Sequence, residues 1–184
     1  MLSVSATIWL TGLPSAGKTT LGEGLRHYLQ ARAIAPIMLD GDDVRCTICS
    51  DLGFSESDRT ENIRRVSSVA RLLNDQGFVV ICCFVSPLAA MRSMAKNIVG
   101  DGKFFEVFVD ADIKTCTARD VKGLYSKALQ GAMGNLTGIS APYEKPLNPN
   151  LSINTDSCGQ GKSIEVLCAN VDRWLNIEKN LHGA

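Results

Sequence analysis

The residues Gly12-Leu13-Pro14-Ser15-Ala16-Gly17-Lys18-Thr19 follow the spacing G-x-x-x-x-G-K-[ST], with Thr20 directly behind them. Glycines at both ends let the backbone curl until successive N–H groups point inward, which makes a cradle for phosphate oxygens. A helix starting near Lys18 would turn its positive dipole end towards the same anion. The Lys18 ammonium can then reach the β- and γ-phosphates of a nucleoside triphosphate, and the Thr19 hydroxyl can ligate Mg²⁺. The same residues could form a chance glycine turn. A strand-like Ile8-Trp9-Leu10 before the motif and a helix-forming stretch behind it favour the phosphate cradle. Lys18 is expected on an exposed loop rather than in a core.

A second cluster, Asp40-Gly41-Asp42-Asp43-Val44-Arg45, follows the apolar Ile37-Met38-Leu39. In an open α/β sheet, ligands gather at the carboxyl ends of strands, where these carboxylates fall. Transfer of a phosphoryl group to a hydroxyl needs one carboxylate to orient or deprotonate the acceptor and another to serve Mg²⁺. Asp40 and Asp42 suit both tasks. Asp40 is placed with Thr19 at the metal, although spacing alone does not divide the roles. An acidic turn can also serve as a helix N-cap, and Asp43 fits that role.

These groups need a frame. Short apolar runs at 7–11, 36–39, 78–85, 104–109 and 151–154 alternate with amphipathic stretches at 18–32, 58–75, 88–99, 113–119 and 163–180. That alternation predicts an α/β fold, a central parallel sheet flanked by helices. Residues 122–150 break the rhythm with Gly123, Gly131, Gly134, Gly138, Pro142, Pro146 and Pro149, and with Lys122, Lys127 and Lys145 among them. A segment of that length inside a compact domain reads as an active-site lid. Residues 1–184 are expected to form a single domain.

The bulk composition excludes some classes. Nineteen basic and 19 acidic side chains cancel, so no net field draws the chain to nucleic acid or to an anionic membrane. No apolar run approaches a membrane span, and the N-terminus lacks a basic region ahead of its short apolar stretch. A cytoplasmic location is the expectation. The seven cysteines are an odd number and sit mostly in apolar segments, as small core residues do in a reducing compartment. Cys46 and Cys49 form a lone C-x-x-C without the second ligand pair that zinc requires, so they read as plain thiols rather than a redox pair.

Beyond the phosphate loop, further blocks carry a resemblance. Asp40 to Arg45, Asp51-Leu52-Gly53-Phe54-Ser55, Asp58-Arg59 and Glu61-Asn62-Ile63-Arg64-Arg65 resemble the adenylylsulfate kinase (APS kinase) family of P-loop kinases. So do Ser86-Pro87, Glu106 to Asp110, Ala118-Arg119-Asp120, Lys122-Gly123-Leu124-Tyr125, Thr137-Gly138-Ile139 and Ala141-Pro142-Tyr143-Glu144, in family order along almost the whole chain.

The resemblance implies transfer of the γ-phosphate of ATP to the 3′-hydroxyl of adenosine 5′-phosphosulfate, with Mg²⁺, in a homodimer. It implies that Arg45, Arg59 and Asn62 hold the phosphosulfate nucleotide and that Phe54 stacks on its adenine. It also places Arg119 against the ATP base and sets Lys122 and Lys127 closing over phosphates. Ser86 is implied as a site residue rather than a nucleophile, with capping of the helix after Pro87 as its other reading. Arg64 is read as a solvated helix residue paired with neighbouring acids.

The chain departs from the family pattern at several points. Asp43 replaces the usual asparagine, and Cys46-Thr47-Ile48-Cys49 replaces a glycine-richer loop. Pro14 and Ser15 are unusual within the phosphate loop. Leu136 stands where the family has a second stacking aromatic, leaving the base between a ring and an aliphatic chain. Base–aromatic stacking contributes roughly 1–3 kcal/mol per base. A kinase for another nucleotide-linked or small hydroxyl acceptor, or an ATP-binding switch without turnover, would share the phosphate loop.

Overall fold

The computed structural model describes residues 4–131 and 134–176. Five strands form one parallel sheet in the order β2-β3-β1-β4-β5. In chain order they are β1 (Ala6–Thr11), β2 (Ile37–Asp40), β3 (Val79–Cys83), β4 (Phe104–Asp110) and β5 (Leu151–Asn154). The helices are α1 (Lys18–Gln30), α2 (Gly41–Cys46), α3 (Glu56–Asp75), α4 (Ala89–Val99), α5 (Ile113–Arg119), α6 (Leu124–Leu129) and α7 (Gln160–Leu175).

Both faces of the sheet are covered, so its strands are apolar on successive residues and sort by parity. Ile8, Leu10, Ile81, Cys83, Val107 and Val109 join Leu21, Leu25 and Leu29 of α1 and Leu167 and Val171 of α7 in one core. Trp9, Val80 and Cys82 join Ile63, Val66 and Ala70 of α3 and Met91, Ala95 and Val99 of α4 in the other. Trp9 is wholly buried, with ring centroids 5.5 Å from Phe84 and 5.6 Å from Phe104.

All five expected strands are present, and the differences have local causes. The run at 78–85 ends as a strand at Cys83, where the ladder with β2 also ends at Asp40, and the chain turns at Ser86, φ 36°. The acidic turn is the first turn of α2, and its cap is Asp40, whose side chain accepts from Asp42 N, rather than Asp43. The segment 122–150 is not structureless: Gly123, at φ 66°, opens the short helix α6, and 136–141 form a tight turn. The helix expected at 163–180 begins earlier, at Gln160, and closes at Leu175 against left-handed Asn176; 177–180 lie outside the described residues.

Two glycines let helix α1 pack closely, Gly22 on the sheet and Gly24 against α7. A Cβ on Gly22 would stand 2.6 Å from Cys83 Sγ, and one on Gly24 would stand 2.7 Å from Ile164 of α7. Each glycine costs the helix about 1 kcal/mol relative to alanine, so close approach is the reason to keep them. Gly22→Ala is therefore expected to destabilise the fold by about 1–2 kcal/mol despite its better helix propensity, since overpacking costs about 1–3 kcal/mol. Urea denaturation measures the sign, and a stabilised Gly22→Ala protein would contradict the close-packing account.

Candidate active site

The carboxyl ends of β1, β2 and β3 meet over one cavity of about 1100 Å³. Its floor is the phosphate loop between β1 and α1. Gly17, at φ 106°, caps α1 in the left-handed region, a conformation that side chains resist. A Cβ on Gly12 would be driven into the Val109 carbonyl oxygen, so the loop can begin only with glycine.

Lys18 corrects the expectation of an exposed residue: it is 9 % exposed. Its Nζ donates to Gly12 O at 3.0 Å and Leu13 O at 2.7 Å. Burial pushes its pKa down to about 8, with Cys83, Cys116 and Asp40 opposing the shift. A cation held out of water against carbonyl dipoles is poised to take a phosphate oxygen as a better partner. Pro14, Ser15, Ala16, Thr19 and Thr20 line the same cavity. Leu13, outside that lining, gives its carbonyl to Lys18 and packs its side chain against Gly138.

Thr19 Oγ1 donates to Asp40 Oδ2 at 2.7 Å, and Asp40 Oδ1 accepts from Asp42 N at 3.0 Å. A hydroxyl and a carboxylate therefore sit together at the mouth of the loop. Oxygen donors of this kind suit Mg²⁺, which binds through one or two carboxylates, waters and substrate phosphates rather than an all-protein cage. Among the described residues no group of three or more His, Cys, Asp or Glu stands together as a metal site. Asp42 points elsewhere and forms an ion pair with Lys122 from the segment before α6.

The opposite wall carries the acceptor-side candidates. Phe54 is 55 % exposed and lines the cavity with Arg45, Arg59, Asn62, Leu136 and Thr137. The Arg45 guanidinium lies 4.4 Å from the Phe54 ring centroid, and that of Arg59 lies 5.6 Å away. Both arginines are held by backbone: Arg45 Nη1 donates to Gly53 O at 2.7 Å, and Arg59 Nη2 donates to Asn135 O at 2.6 Å. Burial lowers the pKa of each, although an arginine stays charged. Asn62 Oδ1 and Thr137 Oγ1 are buried in this wall with no hydrogen-bond partner. Buried polar atoms are normally satisfied, so both are ready for a ligand.

Most of the remaining candidates fall in place, with two exceptions. Arg119 lines the cavity and donates to Thr155 O at 2.7 Å. Lys127 is exposed and stands outside the cavity lining, because α6 turns it outward while Tyr125 is buried. Ser86 lines the cavity but does not cap α4. The α4 N-cap is Leu88, without a side-chain bond, and the Ala89 N–H instead donates to Glu144 Oε2 at 2.6 Å. Arg64 pairs with Glu61, as a solvated helix residue should. All seven cysteines are free thiols, Cys46 exposed and Cys49 buried.

Sequence reasoning missed Thr137 as a lining residue and the wall at Thr155 to Gln160. The signal for the wall was its position just past β5, where ligands collect in such sheets.

The adenylylsulphate kinase family model matches residues 4–154. The adenylyl-sulfate kinase of Citrobacter koseri is 49 % identical over 149 residues, 81 % of this chain and 74 % of that one. The bifunctional enzyme NodQ of Rhizobium sp. (strain N33) is 45 % identical over 93 % of this chain, which spans only 26 % of NodQ. Among solved structures, the Mycobacterium tuberculosis APS kinase CysC in complex with AMPPNP and APS superposes with a TM-score of 0.86 at 40 % identity, covering 92 % of this chain and 98 % of that one. The fold is that of the P-loop kinases, and the chain belongs to the adenylylsulphate kinase family.

Proposed function

We propose that this chain transfers the γ-phosphoryl group of ATP to the 3′-hydroxyl of adenosine 5′-phosphosulfate, yielding ADP and 3′-phosphoadenosine 5′-phosphosulfate, the activated sulfate donor. The carrying observation is one continuous cavity with the phosphate loop and Lys18 on one side and Phe54, Arg45, Arg59 and Asn62 on the other. A bisubstrate cavity of that kind lets two nucleotides face each other for in-line transfer. We read residues 1–184 as one catalytic unit with 122–150 as its lid, working as a homodimer in the cytoplasm. Among the described residues no helix is long and apolar enough to cross a membrane.

In this reading Lys18 and the loop N–H groups hold the triphosphate, and Thr19 with Asp40 would hold Mg²⁺, which supplies positive charge to offset that of the phosphates. Asp42 takes the acceptor proton as the new P–O bond forms and the bond to the ADP oxygen breaks. Lys122, now paired with Asp42, would move to phosphate and leave that carboxylate free. Ser86, buried and hydrogen-bonded, contributes to the wall rather than to a covalent step. Arg119 flanks the ATP base, Phe54 and Leu136 enclose the acceptor base, and Arg45, Arg59 and Asn62 grip its phosphosulfate. Lys127, outside the lining, has no part in this scheme.

ADP release measured over a panel of acceptors tests the reading. Adenosine 5′-phosphosulfate should support turnover and simple hydroxyl compounds should not; the reverse would move the assignment to another acceptor. Within that assay Phe54→Ala should raise the acceptor KM roughly tenfold, as loss of a stacked ring costs about 1–3 kcal/mol, while KM for ATP holds within twofold. Equal damage to both constants would remove Phe54 from the acceptor pocket.

The two carboxylates separate by metal dependence. Asp40→Asn should raise the Mg²⁺ concentration needed for half-maximal rate. Asp42→Asn should lower kcat by about 100-fold or more at any Mg²⁺ level, the scale of a lost general base. Titration of both variants with Mg²⁺ decides, and identical Mg²⁺ curves would undo the division of roles.

The buried ammonium sets a pH limit. The charged form of Lys18 binds phosphate, and that form is lost as pH rises through about 8 in the ligand-free protein. The ratio kcat/KM for ATP reports free-enzyme ionisations, so it should fall above about pH 8. Bound triphosphate holds the proton on, and kcat should stay level across the same range. A kcat/KM profile flat to pH 9.5 would contradict the buried-cation account.

A further inference from the structure

The lid returns to the body through Ala141-Pro142-Tyr143-Glu144-Lys145, a segment the proposed chemistry does not use. Residues 136–141 fold as one unit. Gly138 N donates to Ala141 O at 2.8 Å, Ser140 N donates to Leu136 O at 3.0 Å, and Leu136 N donates to Ser140 Oγ at 2.9 Å. This unit rides on the phosphate loop, since a Cβ on Gly138 would stand 2.8 Å from the Leu13 side chain. Its Leu136 and Thr137 form part of the acceptor wall. How the turn is tied down therefore decides how the acceptor stands relative to Lys18.

The tie is a buried hydroxyl chain. Thr11, the last residue of β1 before Gly12, is wholly buried and has one hydroxyl proton, directed to Val85 O at 2.8 Å. It must then accept from its two other neighbours, Ser86 Oγ at 2.9 Å and Tyr143 OH at 3.0 Å. Ser86 Oγ in turn accepts from Trp9 Nε1 at 3.1 Å. Arg92, buried and 3.0 Å from Glu106, donates to Ser86 O at 2.9 Å and lies 5.9 Å from the Tyr143 ring centroid. Glu144 N donates to Pro87 O at 2.8 Å, and Lys145 Nζ reaches Asp110 at 3.1 Å. Burial pushes the Tyr143 phenol up to about 12, so it remains a donor throughout the working pH range.

We propose that Tyr143 is a positioning residue that, through its hydrogen bond to Thr11, registers the acceptor wall of the lid against the phosphate loop. It lies outside the cavity lining. Its effect runs through the turn 136–141 on one side and the residue preceding Gly12 on the other. A misplacement of about 1 Å between two reacting groups can cost roughly 100-fold in rate, so one hydroxyl at this joint has leverage on kcat. The proposal rests on the kinase reading above for its kinetic readout, and on the hydrogen bond alone for its structural one.

Tyr143→Phe removes only the hydroxyl and keeps the ring stacked 6.1 Å from Phe108. The expected result is a kcat lowered about tenfold, a raised acceptor KM, a KM for ATP within twofold and a melting temperature within a few degrees of the parent. Thr11→Val should act on the same joint, so the double variant should be no worse than the poorer single, as residues sharing one interaction are not additive. A purely structural tyrosine would lower the melting temperature and leave kcat per folded molecule unchanged, and that outcome overturns the proposal, as do multiplicative losses in the double variant. Should Thr11→Val not fold, the Tyr143→Phe kinetics decide alone.

Hydrogen exchange separates this proposal from the kinase reading. Amides of residues 134–141 should exchange at least tenfold faster in Tyr143→Phe than in the parent, whatever the substrate. A parent without turnover on adenosine 5′-phosphosulfate would refute the acceptor assignment and leave exchange to judge the joint. Unchanged exchange in the variant refutes the joint itself.

Discussion

A cation removed from water organises this molecule. The Lys18 ammonium is buried against the carbonyls of Gly12 and Leu13, and an uncompensated charge there would be costly. The loop must therefore present carbonyls inward at one end and N–H groups at the other. That geometry needs Gly12 flat against Val109 O and Gly17 in the left-handed region. It also needs α1 to begin at Lys18 and lie close on the sheet, which Gly22 permits. The apolar β1 at the centre of the sheet exists to deliver Thr11 and Gly12 to that point. Carbonyl dipoles hold the ammonium less well than phosphate oxygens do, so the site is built to exchange partners.

The frame was legible in the sequence because parallel strands covered on both faces leave continuous apolar runs. All five were found, with ends within two residues of the observed ones. What was not legible depended on single contacts across the chain. The acidic turn gave no sign that Asp40 would cap α2, because that requires the Asp42 N–H to turn back on it. The burial of Lys18 is invisible in a motif that reads as a polar loop. Lys122 and Lys127 look alike in sequence, yet Lys122 lies ahead of the short helix α6 and reaches Asp42, whereas Lys127 stands on the outward face of that helix. The serine before Pro87 resembles a cap, yet Glu144, far along the chain, supplies that bond.

The acceptor wall shows the same economy of partners as the phosphate loop. Arg45 and Arg59 are each given a backbone carbonyl and share the Phe54 ring, so neither guanidinium is left bare in a half-desolvated site. Exchanging a neutral carbonyl for an anionic oxygen puts charge on the acceptor side of a bond whose donor is already ionised, which strengthens it. A neutral polyol offers no such gain, because it would displace one neutral acceptor with another. On the proposed reading this exchange separates a phosphosulfate nucleotide from neutral hydroxyl compounds. It also bears on Leu136: with an aliphatic wall in place of a second ring, the anionic end of the acceptor carries more of its binding. Arg59 Nε and Nη2 are held by Phe54 O and Asn135 O, so on the proposed reading the guanidinium that meets the anion is also tied to the segment carrying Leu136, and acceptor binding and the placement of that segment are linked through one side chain.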